Sequence, residues 1–64
     1  MNRYQFAKLK FGNGKTLNVN AQYIIYYAYD TGKNETVVRL IENDEHYFPG
    51  DQTEVIEDSF RFVK

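Results

Sequence analysis

The 64-residue chain carries a formal net charge of −1 and has no cysteine, which excludes disulfide staples, thiolate metal sites and cysteine nucleophiles. A domain of this length buries only about 60% of the surface its unfolded chain exposes, and its longest apolar run, residues 23–29, falls far short of the ~20 residues a membrane-spanning helix needs. No apolar stretch of signal-peptide length follows Met1-Asn2-Arg3-Tyr4-Gln5, so the expectation is one compact, soluble, cytoplasmic β-rich domain over residues 1–64.

Tyr4 to Phe11 alternates, with Ala7, Leu9 and Phe11 on one face and Tyr4, Phe6, Lys8 and Lys10 on the other, which predicts a first strand. Gly12-Asn13-Gly14 is hairpin chemistry, and Lys15 to Asn20 is the return strand, with Leu17 and Val19 on its apolar face. A two-residue Asn13-Gly14 turn would pair Leu9 with Asn18 and mix polar with apolar side chains. A three-residue Gly12-Asn13-Gly14 loop pairs Leu9 with Leu17, Ala7 with Val19, Lys8 with Asn18 and Lys10 with Thr16, which separates the faces. The three-residue loop is therefore expected, with Gly14 in the left-handed conformation that glycine adopts cheaply.

Asn20-Ala21-Gln22 suits a bend or a single helical turn. Residues 23–29, Tyr23-Ile24-Ile25-Tyr26-Tyr27-Ala28-Tyr29, hold four of the six tyrosines and form a third strand that is apolar on both faces, as in a strand covered on both sides. Asp30-Thr31-Gly32-Lys33-Asn34 is turn chemistry, and Glu35 to Ile41 is a β-branched fourth strand. A five-residue loop sets Ile24, Tyr26 and Ala28 beside Leu40, Val38 and Thr36 as a core face, leaving Tyr23, Ile25, Tyr27 and Tyr29 around Arg39 outside. A loop one residue shorter exchanges the faces of the third strand and leaves Tyr26 and Ile24 outside with Arg39.

Glu42-Asn43-Asp44-Glu45 is a charged turn, and His46-Tyr47-Phe48 is a short fifth strand stopped by Pro49-Gly50. Asp51 and Glu54 resemble a capping box, and Ile56, Phe60 and Val63 suit one face of a short C-terminal helix. A turn at Asp58-Ser59 followed by a last strand is the competing reading. The expected fold is mainly β, bordering on α+β: a small antiparallel sheet or SH3-like barrel of about five strands with a short C-terminal helix.

Catalytic chemistry finds little footing in this sequence. His46 is the sole histidine, and with Asp44 and Glu45 it falls short of the three or four convergent ligands a stable metal site requires. Ser59 and the threonines have no other conventional base to activate them. Gly12-Asn13-Gly14-Lys15-Thr16 ends like a phosphate loop but lacks the first glycine and lies between two strands, so no helix start can complete the cradle. No enzymatic activity, metal or cofactor is expected.

Charge is unevenly divided: residues 1–33 carry five cations against Asp30, net +4, and residues 34–64 carry three cations against eight acids, net −5. Separate faces would make the molecule a dipole, whereas interleaved halves would cancel. Two binding surfaces follow. Tyr23, Ile25, Tyr27 and Tyr29 around Arg39 are the residue types enriched at protein interfaces, and they point to an adaptor that binds another protein or a second copy of itself. Arg3, Tyr4, Phe6, Lys8 and Lys10 combine aromatic platforms with cations, as in small β-barrels that bind single-stranded nucleic acid.

The order of a first strand, the Asn13-Gly14-Lys15 turn, Val19-Asn20-Ala21 with isoleucine soon after, Thr36-Val37-Val38-Arg39-Leu40 and then Val55-Ile56 resembles the small FlbD/SwrD family of flagellar proteins over most of the chain. The resemblance rests on hydrophobic spacing and turn residues, and it implies a small non-enzymatic cytoplasmic β-rich protein associated with motility. The tyrosine cluster, the Glu42-Asn43-Asp44-Glu45 turn and Pro49-Gly50 depart from that family's usual pattern. A phage or plasmid accessory protein that grips a host factor fits the same features.

Overall fold

The computed structural model describes residues 6–60. Five antiparallel strands, β1 (Phe6–Lys10), β2 (Thr16–Asn20), β3 (Ile24–Asp30), β4 (Glu35–Leu40) and β5 (Asp44–Pro49), precede one helix, α1 (Thr53–Ser59). They form two sheets, β1-β2 and β3-β4-β5. The mainly β architecture with a short C-terminal helix is as expected, but no closed barrel forms among the described residues. Separate short sheets suffice because α1 and the β1-β2 hairpin together cover one face of the three-stranded sheet.

The first hairpin has the register that separates its faces: Ala7 opposes Val19, Lys8 opposes Asn18, Leu9 opposes Leu17 and Lys10 opposes Thr16. Phe11 N–H donates to the Lys15 carbonyl at 2.8 Å, and Gly14 takes a φ of 86°. A non-glycine residue there would meet the Cβ penalty of the left-handed region. Asn20 caps a 3-10 turn over Ala21–Tyr23 by accepting from Gln22 N–H.

The second hairpin takes the shorter loop. Asp30 pairs with Glu35, so the loop is Thr31–Asn34 and Tyr26, Tyr27, Ala28 and Tyr29 oppose Arg39, Val38, Val37 and Thr36. Two local features make this register possible: the Asp30 carboxylate accepts from Gly32 and Lys33 N–H, and Asn34 adopts a φ of 53°. Asparagine tolerates that region better than most residues. A bulge between Ile24 and Tyr26 then shifts the pairing so that Ile24 opposes Leu40. Ile24 therefore stays against the core while Ile25 and Tyr26 are both exposed.

Between β4 and β5 the turn Ile41–Asn43 contains two consecutive left-handed residues, Glu42 and Asn43. It is tighter than the expected charged turn, so β5 begins at Asp44. The C-terminal segment is helical at Thr53–Ser59, so Asp58-Ser59 is the end of the helix and not a separate turn, while the alternative's last strand and Val63 of the expected helix face lie outside the described residues. The capping box is replaced by a local motif: Asp51 Oδ1 accepts from both the main-chain N–H and the hydroxyl of Thr53, while Gln52 occupies the cap position without a side-chain cap bond. These contacts hold the Asp51 carboxyl below its ordinary pKa.

Ala7, Leu9, Val19, Val38, Phe48 and Ile56 are the buried core, flanked by Phe11, Leu17, Ile24, Tyr27, Leu40 and Phe60. Gln52 ties the layers together. Its side-chain oxygen accepts from Lys10 N–H at 2.8 Å and its Nε2 donates to the Lys10 carbonyl at 2.9 Å and the Pro49 carbonyl at 2.7 Å. The side-chain amide thus imitates a neighbouring strand for the end of β1. Its main-chain N–H donates to the Thr36 hydroxyl, which donates to the Gly50 carbonyl. The buried Thr36 is satisfied in this way, and no buried side-chain polar atom among the described residues lacks a partner.

Candidate protein-binding face

The pleat of β3-β4-β5 sorts its side chains into two opposite faces. Val38, Thr36 and Phe48 point to the core, while the rows Tyr26–Arg39–Glu45, Ala28–Val37–Tyr47 and Asp30–Glu35–Pro49 point away from it. The helix packs on the core side, where Ile56 is buried, so no described element covers the outward rows. They line a shallow hollow of about 270 Å³ bounded by Tyr26, Val37, Arg39, Glu45 and Tyr47, with Asp30, Lys33 and Glu35 at one end.

Arg39 organises this surface. Its guanidinium lies 5.6 Å from the centroid of the Tyr26 ring and 3.1 Å from Glu45 Oε2, while the Tyr47 hydroxyl donates to Glu45 Oε1 at 2.9 Å. Glu45 is thereby gripped from two strands. The Tyr47 hydrogen bond and then Arg39 hold its carboxyl below the ordinary pKa, and the same carboxylate raises the Tyr47 phenol. The chain Tyr26–Arg39–Glu45–Tyr47 therefore places two half-exposed aromatic rings and a planar cation at fixed positions on a rigid sheet. Arginine stacked on an aromatic ring and held by a carboxylate loses little further freedom when a partner covers it.

Of the residues expected here, Tyr23, Ile25 and Arg39 are exposed. Tyr27 and Tyr29 are not part of this face, because the four-residue loop turns them inward. Tyr27 packs on Phe60 at 5.9 Å between ring centroids and its hydroxyl donates to Glu57 at 3.1 Å, while the Tyr29 hydroxyl donates to Asn34 Oδ1. Burial, then the Glu57 hydrogen bond, raises the Tyr27 phenol. Tyr26, Glu45 and Tyr47 take their place. The shorter-loop alternative already carried the signal for Tyr26. That for Tyr47 and Glu45 is their register opposite Val37 and Arg39, which depends on the tight Ile41–Asn43 turn.

The second surface lies on the other sheet. Phe6, 62% exposed, and the exposed Lys8 and Lys10 share the outward face of β1 with Thr16, Asn18 and Asn20 of β2. Arg3 and Tyr4 lie outside the described residues. No acidic residue precedes Asp30, whereas residues 41–58 hold seven acids and neither lysine nor arginine. Among the described residues no ion pair joins the two halves of the chain, since Arg39–Glu45 and His46–Asp44 both lie in the second.

His46 reaches Asp44 at 3.1 Å, but no group of three metal-ligating side chains assembles among the described residues. Gly12-Asn13-Gly14-Lys15-Thr16 is the hairpin loop and the start of β2, with no helix behind it. No helix among the described residues is long and apolar enough to cross a membrane. Comparison with protein-family models, curated proteins and solved structures finds no match.

Proposed function

We propose that this chain is a non-enzymatic protein-binding module of the adaptor type that engages its partner through the outward face of β3-β4-β5. The observation that carries the reading is the Arg39 guanidinium, set over the Tyr26 ring and paired with Glu45, which also accepts from Tyr47, in the middle of a sheet face that no described element covers. Tyrosine and arginine anchors of this kind bury much area at small entropic cost and supply most of the binding energy at protein interfaces. Cytoplasmic action, as a motility-associated accessory or as a phage or plasmid factor acting on a host protein, is compatible with such a surface.

The test is capture from a lysate of the source cells on immobilised protein, with and without nuclease. Nuclease-resistant capture should be lost on Arg39→Ala and on Tyr47→Ala. Capture indifferent to both substitutions would overturn the assignment of this face.

The exposed Phe6, Lys8 and Lys10 on one acid-free face of β1 favour a second reading, binding of single-stranded nucleic acid by stacking and phosphate contact. That reading requires salt-sensitive binding of labelled oligonucleotides that disappears in the Lys8→Ala, Lys10→Ala double variant. Absence of binding at low salt eliminates it.

A further inference from the structure

The two edges of the three-stranded sheet are built differently. β5 carries Asp44, Glu45, His46 and Pro49 along its six residues, the charges and proline that discourage pairing with another chain. Among the described residues β3 hydrogen-bonds within its sheet only to β4, and it carries no proline, no lysine or arginine, and a single acid at its last position, Asp30. Its bulge is confined to Ile24–Tyr26, which leaves Tyr26–Asp30 as a regular run paired residue for residue with Glu35–Arg39. A regular, apolar, uncharged edge is a template for strand addition.

We infer that β3 pairs antiparallel with β3 of a second copy, joining two three-stranded sheets into one of six strands. The inference stands apart from the identity of any partner held by the outward face. Matching faces on the two copies requires paired residues of equal parity, and centring the regular run on itself sets Ala28 opposite Ala28, Tyr27 opposite Tyr29 and Tyr26 opposite Asp30. Each feature of this register is favourable. The smallest side chain of the run lies on the two-fold axis, where a residue meets its own copy. The inward tyrosines meet on the helix-covered side, where aromatic cross-strand pairs stabilise a sheet.

Charge selects the second copy over an arbitrary strand. On the outward face Asp30 and Glu35 sit side by side at one end of the β3-β4 pair, and Tyr26 and Arg39 at the other. The two-fold brings the acidic end of each copy into the row of the other's Tyr26 and Arg39. Asp30 then lies two strand spacings, about 10 Å, from the facing Arg39 backbone, within range of a long guanidinium side chain that already leans over the intervening Tyr26 ring. The contact occurs twice per dimer, and no like charges oppose each other across the new β3–β3 seam.

Sedimentation and light scattering of the intact chain over a concentration series should show a monomer–dimer equilibrium. Ala28→Lys, which sets two ammonium groups against each other on the axis, should yield a monomer, and so should Ala28→Glu. An equimolar mixture of the two variants should recover the dimer. In the wild-type protein, amide protection along β3 should rise with concentration while that of β5 does not, a readout that needs no variant to fold. A chain that stays monomeric at millimolar concentration, an Ala28→Lys variant of unchanged mass, a mixture that fails to recover the dimer, or concentration-independent protection of β3 would each overturn the pairing.

Discussion

Tyr47 and Phe48 are consecutive residues of one strand with opposite fates. Phe48 is 1% exposed against Phe11, Val38 and Ile56, and Tyr47 is 53% exposed beside Glu45. The same contrast runs across the whole three-stranded sheet. Its inward face is built from apolar packing around one hydrogen-bonded threonine, and its outward face from weak polar contacts among groups that water also reaches. The inward face supplies stability, and the outward face supplies positioned side chains that the fold does not depend on. That separation lets a very small domain hold a binding surface, because changing the surface does not threaten the core.

The sharpest way to break the comparison is to truncate both neighbours. Phe48→Ala should cost about 3–5 kcal/mol of unfolding free energy, through lost burial and the cavity left in a core with little capacity to relax. In a domain with so few buried residues, that is enough to abolish the cooperative transition. Tyr47→Ala should leave the urea midpoint almost unchanged. Equal effects of the two substitutions on a chemical denaturation curve would show that the outward face is a structural element and not a free surface.

Much of this division is legible in the sequence, and the part that is not has a local cause. The β1-β2 register follows from demanding that Leu9 and Leu17 share a face, because that hairpin alternates cleanly and a wrong loop length would bury lysine or asparagine. The β3-β4 register does not follow, because residues 23–29 are apolar on both faces and either loop length leaves tyrosines on each side. The structure settles it with turn details that burial patterns cannot see: the Asp30 side chain organising Gly32 and Lys33 and a left-handed Asn34 fix the four-residue loop that reverses Tyr26 and Tyr27, and a bulge beyond Tyr26 keeps Ile24 inside. The candidate face inherits that ambiguity. Arg39 is on it under either register, but its aromatic neighbours depend on the loop.

A second and smaller effect sharpens the inward side. Thr36 is fully buried and its hydroxyl links Gly50 to Gln52, the residue whose amide caps β1. Thr36→Val keeps the shape but strands the Gln52 N–H and the Gly50 carbonyl, so it should cost about 1–3 kcal/mol. Val37→Thr, the neighbouring position on the outward face, should be nearly neutral because a hydroxyl there can reach water. Thermal melts of the two variants measure the difference directly. Their rank order would invert if the joint around Gln52 contributed nothing.

The smallest expected effect distinguishes the two faces by the cause of a shared property. Tyr27 on the inward face and Tyr47 on the outward face both have phenols raised above the ordinary value near 10, but burial leads at Tyr27 and the Glu45 hydrogen bond leads at Tyr47. A phenol whose folded-state pKa is raised adds stability that is fully present below the unfolded value and disappears as pH climbs through the folded one, so both contributions are lost only in alkali. Removing the carboxylate separates them. Glu45→Gln should return Tyr47 toward its ordinary titration, whereas Glu57→Gln should leave Tyr27 raised, because its largest cause is the packing around its ring and not the acid at its hydroxyl. Ring-carbon NMR shifts followed through the alkaline range, with Tyr27→Phe and Tyr47→Phe to assign the signals, report each phenol separately. If Glu57→Gln normalised Tyr27 as fully as Glu45→Gln normalises Tyr47, Tyr27 would have to be as open to water as Tyr47, and the inward face would not be closed at that point.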